Sequence, residues 1–335
     1  MATDAGIRTV LMTSGLRPVA RAYPKLPGNP VGVIIWDKPS AFPGNLSEIP
    51  RKIKRVLTRK PYASLKDLCE QHNLHYATCD KSDANNLKQC LKAWNAELVI
   101  TSGCAIIPME ALDEVPLGAI NVHPSPLPNW KGANPLFWQL AAHEEKMGVT
   151  VHELTKAVDC GDILGQRTID RPDGLSHAEV AQLLEGEIGA PLLGQCISEM
   201  EQRLTRDENG LRLDRSTHQT QTQGTTHYAR SVKPQDMESQ VPLQSSHPGI
   251  VWNLLRYLGK APADWIGIQG WHRKVAWAAV SHHYDNTIAM NTTDNPSSQP
   301  NWRIEQGLLR IRLVHPQGSI RLAPARLAKL YRLFG

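Results

Sequence analysis

The sequence predicts an α/β protein with a Rossmann-like, doubly wound and mostly parallel sheet, followed by a small C-terminal β-barrel of oligonucleotide-binding (OB-like) type. In the first two thirds of the 335-residue chain, short apolar runs alternate with segments of helical spacing. That alternation is typical of a parallel sheet covered by helices. The last third carries short runs of alternating apolar and polar residues between Gly and Pro turns, which favours a small antiparallel barrel.

The predicted strands are apolar runs with the length of buried parallel strands. Capping residues precede the predicted helices, with Ser64 before one helix and Asp83 or Asn85 before the next. A long helix is predicted over residues 176–200, although glycines and a proline interrupt its pattern. The strands of the sheet are predicted over residues 8–12, 31–36, 97–101, 118–123 and 149–154.

Changes in composition along the chain predict three segments. We predict a first, doubly wound domain over residues 1–205, a linker rich in Thr, Gln and Gly over 206–226, and the barrel-like domain over 227–335. In the last of these, a helix begins at Pro248 and closes at Gly259. Strands follow, including Leu308–Val314, and a loose hairpin is predicted near Asn295.

Composition also narrows the class of protein. Hydrophobic residues make up 41% and charged residues 21% of the chain, as in globular proteins, and the length suits two domains. No apolar run is long enough to span a membrane, and the first residues lack the pattern of a secretory signal. The six cysteines include no Cys-x-x-Cys pair, which argues against a zinc site or a disulfide framework. We therefore expect a cytoplasmic protein with free thiols.

Basic residues are concentrated in two places. From Arg303 to the end of the chain, seven basic residues face a single acidic one, Glu305, within a net charge of +5. Residues Arg51–Lys60 form a second basic run. Each segment suits contact with phosphate groups and equally suits a solvated surface, so both readings stay open.

Two loops carry the residue types that acyl transfer requires. Asn121 and His123 lie two apart at the end of a predicted strand, so their side chains point the same way. Asp159 follows the next strand and can return to the same cleft. An amide N–H donates to a developing oxyanion, an imidazole relays protons, and a carboxylate orients the imidazole.

The pattern around these residues resembles the formyltransferases that use 10-formyltetrahydrofolate. Two separated segments match that family in order and spacing. Pro126, Lys131 and Cys160 depart from it, and Lys131 lacks the two-pronged geometry of the usual arginine. The matching residues are Asn121, His123, Ser125, Leu127, Pro128, Trp130, Gly132, Pro135, Gly148, Val149, Thr150, Asp159, Gly161 and Asp162.

The resemblance implies a formyl transfer reaction and assigns residues to it. It implies that the first domain is the catalytic one and that 10-formyltetrahydrofolate is the formyl donor. Asn121, His123 and Asp159 would be catalytic, with Asn121 and a protonated His123 stabilising the oxyanion. No metal is expected. The implied cofactor-binding residues are Ser102, Cys104, Ile106, Ile107, Pro108, Lys156, Val158 and Asp159, and the implied substrate-binding residues are Ser125, Lys131, Phe137 and Trp138.

The acceptor amine is less sharply predicted. The Asn134-Pro135 pair followed by Phe137 and Trp138 is similar to family members that formylate small amines, such as amino-sugar nucleotides or amino-acid units. The length and the basic C-terminal third suit methionyl-tRNA formyltransferase, which is the alternative. A 10-formyltetrahydrofolate hydrolase and a non-catalytic folate- or RNA-binding module are further alternatives. Oligomeric state is not predicted.

Other common site motifs are missing from the sequence. It contains no Gly-x-Gly-x-x-Gly after the first strand, no Gly-Lys-Ser/Thr loop, no Gly-x-Ser-x-Gly and no His-Glu-x-x-His. Dinucleotide enzymes, nucleoside triphosphatases, serine hydrolases and zinc hydrolases are therefore disfavoured. His152 lies inside a predicted strand, and we expect it to be a packing residue.

Overall fold

The computed structural model describes residues 6–37, 64–208, 210–222, 227–233, 236, 247–260, 275–284, 302–307, 310–316, 318–328 and 330. The basic run Arg51–Lys60 and the hairpin near Asn295 lie outside these residues. The chain forms two compact units. The first comprises residues 1–131, 148–168 and 181–228, and the second comprises 132–147, 169–180 and 229–335. The sequence-based boundaries 1–205, 206–226 and 227–335 stay a prediction.

A seven-stranded sheet confirms the predicted doubly wound architecture. The strand order is β3-β2-β1-β4-β5-β6-β7, and every pairing from β3 to β5 is parallel, whereas β6 runs antiparallel to β5. The order reverses beside β1, which opens a crevice at the carboxyl ends of the strands. The strands are β1 (Arg8–Thr13), β2 (Asn29–Asp37), β3 (His75–Asp80), β4 (Leu98–Ser102), β5 (Ala119–His123), β6 (Lys146–Glu153) and β7 (Ile163–Asp170).

Helices cover both faces of this sheet. Successive residues of β1 enter different core clusters: Leu11 packs with Ile197, and Val10 packs with Leu87. Both faces of β1 are therefore buried, which explains its continuous apolar run. The helices are α1 (Pro18–Ala22), α2 (Leu65–Gln71), α3 (Ala84–Ala93), α4 (Pro135–Ala141), α5 (His177–Ala181) and α6 (Ala190–Gln202), with a π-helical segment over Gln182–Gly189.

The predicted caps are present at both helices. The Ser64 hydroxyl accepts the Asp67 N–H at 3.1 Å, and the Asp83 carboxylate accepts the Asn86 N–H at 3.0 Å. Each cap satisfies a backbone donor that the first turn of a helix leaves unpaired.

The predicted long helix is confirmed, and its glycines do not end it. Helix α5, the π-helical segment and α6 run without a break from His177 to Gln202. A Cβ on Gly189 would lie 2.9 Å from the Leu184 carbonyl oxygen and 3.2 Å from a methyl carbon of Val149. Glycine at this position therefore lets the helix approach the sheet closely.

The second unit contains an antiparallel sheet, as predicted. Its described strands lie in the order β10-β13-β12-β11. Helix α7 (Pro248–Leu258) packs against β10 and β13, and it ends at Gly259 in the left-handed conformation, with φ of 71°. The barrel form of this domain stays a prediction. The strands are β10 (Trp277–Tyr284), β11 (Arg303–Gln306), β12 (Ile311–His315) and β13 (Gly318–Pro324).

The segment predicted as a linker begins inside a hairpin of the first unit. Strands β8 (Leu204–Asp207) and β9 (Gly210–Leu213) pair in antiparallel register. Further along, residues 215–221 contact the loop that carries Asp159, as described below. In the described part of the chain, no helix combines the length and hydropathy that crossing a bilayer requires.

Candidate active site

Asn121, His123 and Asp159 meet at the carboxyl end of β5. The His123 Nδ1 atom lies 3.6 Å from Asp159 Oδ2, and the Asn121 side-chain nitrogen lies 3.4 Å from Asp159 Oδ1. The side chains of His123 and Asp159 are 5% and 10% exposed. The convergence expected from the two-residue spacing is therefore present, in a site that excludes most water.

The orientation of the Asn121 amide is fixed from both sides. The Thr101 hydroxyl donates to Asn121 Oδ1 at 2.8 Å, so the amide nitrogen points away from β4. That nitrogen lies 3.1 Å from His152 Nε2. Because His152 Nδ1 lies 2.8 Å from the Glu153 carbonyl oxygen, Nδ1 carries the proton and Nε2 accepts from Asn121.

This arrangement leaves one N–H of Asn121 weakly held. One hydrogen of the amide goes to His152, and the other faces Asp159 Oδ1 at the longer distance of 3.4 Å. A hydrogen bond of that length is easily exchanged for a shorter one. Asn121 can therefore offer this N–H to an oxygen on which negative charge develops.

His123 is held as a neutral base. Its Nε2 atom lies 2.9 Å from the Trp130 carbonyl oxygen, so Nε2 carries the proton and Nδ1 keeps a lone pair on the side of Asp159. Burial lowers the pKa of His123, against the charge of Asp159, which raises it. The resting imidazole is therefore neutral, because desolvation outweighs the carboxylate; the protonated His123 that the resemblance implies at the oxyanion stays a prediction.

Asp159 occupies a constrained turn. Its φ angle is 52°, in the left-handed region that Gly, Asn and Asp adopt more readily than other residues. Two residues later, a Cβ on Gly161 would overlap the Glu153 carbonyl oxygen. The loop therefore makes a tight turn directly against the end of β6.

Ser125 holds the first loop together. Its side chain is fully buried, and its hydroxyl donates to the Asn129 carbonyl at 2.8 Å. The Thr150 hydroxyl donates to the Ser125 carbonyl at 2.7 Å and accepts the Leu127 N–H at 3.1 Å. The engaged and buried hydroxyl fits the loop-stitching role that the sequence left open for Ser125, and its substrate-binding role stays a prediction.

The loop after β4 presents apolar surface through Ile106. Ile106 is 78% exposed, and its carbonyl accepts the indole N–H of the buried Trp36 at 3.1 Å. Ile107, 6% exposed, packs into the core, so its predicted place in the pocket wall is corrected. Cys104 packs against the same core cluster, and burial raises the pKa of its thiol to about 12.

Other predicted cofactor residues lie at the loop that follows β4 or on the loop that carries Asp159. The Ser102 hydroxyl is buried and has no partner among the described residues. Val158 is 40% exposed, Lys156 is exposed, and Pro108 precedes the 3-10 turn Met109–Leu112. A buried hydroxyl without a partner and two exposed apolar side chains, Ile106 and Val158, suit a flat heterocycle with polar edges.

The remaining predicted substrate residues differ in position. The ammonium of Lys131 donates to Cys160 Sγ at 3.2 Å, beside Asp159. Phe137 and Trp138 belong to the second unit. There Phe137 is 1% exposed, and the Trp138 indole donates to the Arg230 carbonyl at 2.8 Å. The binding role of Phe137 is corrected, because its ring is buried in the core of that unit.

Two residues of the site were not predicted. His152 was expected to be a packing residue, and Thr101 was not singled out, yet both contact the Asn121 amide. The antiparallel register of β5 and β6 places His152 opposite Asn121. Alternation along the strand shows that His152 shares a face with Thr150, but only the pairing of strands identifies its neighbour.

This chain is similar in sequence to known formyl transferases. Residues 45–184 match the family model described as formyl transferase. A methionyl-tRNA formyltransferase of Bdellovibrio bacteriovorus is 34% identical over 142 residues, or 42% of this chain and 43% of that protein. The matched region thus spans less than half of that relative. One from Syntrophomonas wolfei is 25% identical over 271 residues, 80% of this chain and 82% of that protein.

A solved structure shares the fold over nearly the whole chain. The structure of WlaRD, a sugar 3N-formyl transferase in the presence of dTDP and 5-N-formyl-THF, matches with a TM-score of 0.57. The match covers 95% of this chain and 97% of that one, at 13% identity. At that identity the likeness concerns the fold alone.

Proposed function

Since this chain belongs to the formyltransferase family, we propose that it transfers a formyl group from 10-formyltetrahydrofolate to a primary amine. The observation that carries this proposal is the convergence of Asn121, His123 and Asp159 within 3.6 Å at the end of β5. An amide donor, a neutral imidazole and a carboxylate are together sufficient for acyl transfer between nitrogens.

The loops beside this group suit the formyl donor. Ile106 and Val158 offer exposed apolar surface, and the buried Ser102 hydroxyl lacks a partner among the described residues. We propose that these residues, with the backbone of their loops, hold the folate. When bound, 10-formyltetrahydrofolate supplies the carbon that the amine attacks.

Each catalytic side chain has a defined task in this proposal. Asn121 donates its weakly held N–H to the carbonyl oxygen as that oxygen gains charge. His123 accepts the proton that the attacking amine loses, since Nδ1 is unprotonated, and returns it to the departing nitrogen of the donor as the old C–N bond breaks. Asp159 stabilises the resulting imidazolium from 3.6 Å, as the acid of a catalytic triad does.

We propose a small-molecule acceptor, either an amino-sugar nucleotide or an amino-acid unit. The Asn-Pro-x-Phe-Trp sequence at Asn134–Trp138 supports this choice. Because Phe137 is buried, Phe137 and Trp138 support this choice through their place in the sequence motif and not through contact of the Phe137 ring with the acceptor. We also propose that the protein acts in the cytoplasm, where folate donors and reduced thiols occur together; all six cysteines are free.

Methionyl-tRNA is the second candidate acceptor. The two relatives described above are methionyl-tRNA formyltransferases, and one of them aligns with 80% of this chain. The seven basic residues from Arg303 onward provide charge for such a partner.

An acceptor screen tests these proposals. Purified protein is incubated with 10-formyltetrahydrofolate and an amino-sugar nucleotide, free amino acids or methionyl-tRNA, and formylated products are identified by mass spectrometry. Formylation of a small amine supports the first acceptor, and formylation of tRNA alone replaces it with the second. Formate release without acceptor indicates a hydrolase, and folate binding without turnover indicates a non-catalytic module.

A further inference from the structure

A segment following β9 returns to the active site. We call residues 215–221 the return segment. The Arg215 guanidinium donates to the Glu153 carboxylate at 2.8 Å, and His218 Nδ1 lies 3.0 Å from the same oxygen. Gln219 and Ile163 exchange both backbone hydrogen bonds, at 2.8 and 2.9 Å. The return segment therefore binds the chain on both sides of the loop that carries Asp159.

Gln221 ends this segment at the Asp159 loop itself. Its side-chain nitrogen donates to the carbonyl oxygens of Asp159 at 3.0 Å and Gly161 at 2.7 Å. Both hydrogens of the amide are thus used on one turn. Gln221 Oε1 is buried and has no partner among the described residues. A buried unpaired oxygen destabilises the fold, by about 1–3 kcal/mol, so the amide is held there in spite of that penalty.

The two acceptors explain why an amide occupies this position. The carbonyls of Asp159 and Gly161 face the same point, and only a group with two N–H donors can satisfy both. Asp159 has φ of 52°, in the left-handed region, which Asp adopts more readily than most residues but less readily than Gly. The two hydrogen bonds from Gln221 help to keep this turn closed and to aim the Asp159 carboxylate at His123 and Asn121.

We propose that Gln221 is a positioning residue that holds the Asp159 carboxylate against His123 and Asn121. Its role in catalysis rests on the formyl transfer proposed above. Its effect on geometry does not, because the distance between Asp159 and His123 is a property of the protein alone. Gln221, a residue of the segment predicted to be linker, thereby supports the Asp159 loop through its side chain.

Two variants of the full-length chain test this proposal. Gln221→Leu removes the amide and keeps a similar volume, whereas Gln219→Leu changes an exposed side chain two residues away whose contacts are through the backbone. We expect Gln221→Leu to lower kcat, by up to about 100-fold for a displacement near 1 Å. The KM for 10-formyltetrahydrofolate should rise as well, because Val158 on the same loop is proposed to hold the folate, whereas Gln219→Leu should match the parent protein.

A second readout needs no turnover. The Asp159 charge raises the pKa of His123, against the effects of burial and of His152. NMR titration of the His123 ring should therefore show a midpoint at lower pH in Gln221→Leu, and an unchanged midpoint in Gln219→Leu. If Gln221→Leu does not fold, Gln221→Asn, which keeps the amide but is too short to reach both carbonyls, should give the same shift in a smaller amount.

The outcomes separate the two proposals. An unchanged His123 midpoint and an unchanged kcat in Gln221→Leu would overturn the positioning role. A parent protein that forms no product, combined with a shifted midpoint in Gln221→Leu, would overturn formyl transfer and leave the positioning of Asp159 established.

Discussion

At the scale of single residues, Asn121 depends on three neighbours from separate parts of the chain. Thr101 lies on β4, His152 on β6 and Asp159 on the following loop, and each contacts one edge of its amide. The amide is therefore oriented before any ligand binds. Such preorganisation is what makes an oxyanion donor effective.

We predict that Asn121→Ala retains the fold and lowers kcat about 100-fold to 1,000-fold, the usual effect of losing one oxyanion donor. The decrease should appear in kcat, with little change in the KM for 10-formyltetrahydrofolate. Steady-state kinetics with the acceptor found by screening measures it, and circular dichroism controls for folding. Turnover near that of the parent protein would remove Asn121 from the catalytic group.

A substitution of His152 is expected to lower the stability of the protein as well as its turnover. His152→Leu leaves the Asn121 N–H without its acceptor and the Glu153 carbonyl without its donor. Unpaired buried groups of this kind cost about 1–3 kcal/mol each. We expect the free energy of unfolding, measured by urea denaturation, to fall by at least that amount and kcat to fall with it. Unchanged stability would return His152 to the packing role expected from its sequence.

At the scale of elements, the π-helical segment Gln182–Gly189 carries a buried charge. Glu185 is 1% exposed, and its carboxylate receives the Arg17 guanidinium in a two-pronged pair, with one contact of 3.2 Å. Arg17 follows β1, and it lies against Gly103, where a Cβ would meet the guanidinium nitrogen Nη1 at 2.7 Å. The pair therefore connects the helix to the loop that precedes Cys104.

We predict that Arg17→Met destabilises the protein by roughly 3 kcal/mol, because it leaves the Glu185 carboxylate buried without its partner. The double variant Arg17→Met with Glu185→Leu should recover most of this loss, since no uncompensated charge remains. Urea denaturation of the single and double variants measures the coupling. An Arg17→Met variant as stable as the parent protein would show that the pair contributes nothing to folding, and a double variant no more stable than the single one would contradict the buried-charge explanation.

Local sequence patterns predict some of these elements and give no signal for others. The apolar runs predict β1, β2 and β4–β6 because buried parallel strands need continuous apolar surface. Ser64 and Asp83 predict the starts of α2 and α3 because their side chains replace a missing helical hydrogen bond. Residues 206–226, rich in Thr and Gln, carry no such periodic signal. Strand β9 there pairs with the neighbouring strand β8, and the contacts of Gln221 depend on partners distant in sequence.

At the scale of the whole molecule, the second unit contains several histidines that are held neutral. Burial lowers the pKa of His143 from 6.5 to about 4, with a further contribution from the Arg171 charge. Burial also lowers the pKa values of His247, His282 and His315. A histidine with a lowered pKa binds protons more readily when unfolded, so its stabilising effect is present above pH 6.5 and is lost as pH falls below that value.

We therefore predict that the second unit loses stability between pH 6.5 and about 4. Hydrogen exchange of peptides from α4 and α7, corrected for intrinsic rates, should be faster at pH 5 than at pH 7.5. His143→Asn removes one titrating ring and suits the positive φ of 56° at this position, so it should reduce the acid sensitivity. Equal protection at both pH values would contradict the prediction.

By itself, the sequence predicted strands β1, β2 and β4–β6, the starts of α2 and α3, the two loops and the candidate residues Asn121, His123 and Asp159, because these depend on local spacing and on residue chemistry. The tertiary structure alone decided which nitrogen of His123 is free, that His152 supports Asn121, that Ser125, Ile107 and Phe137 are buried, and that Gln221 reaches the Asp159 loop. Strand pairing, desolvation and long-range hydrogen bonds set those features, and none of them leaves a local pattern in the chain.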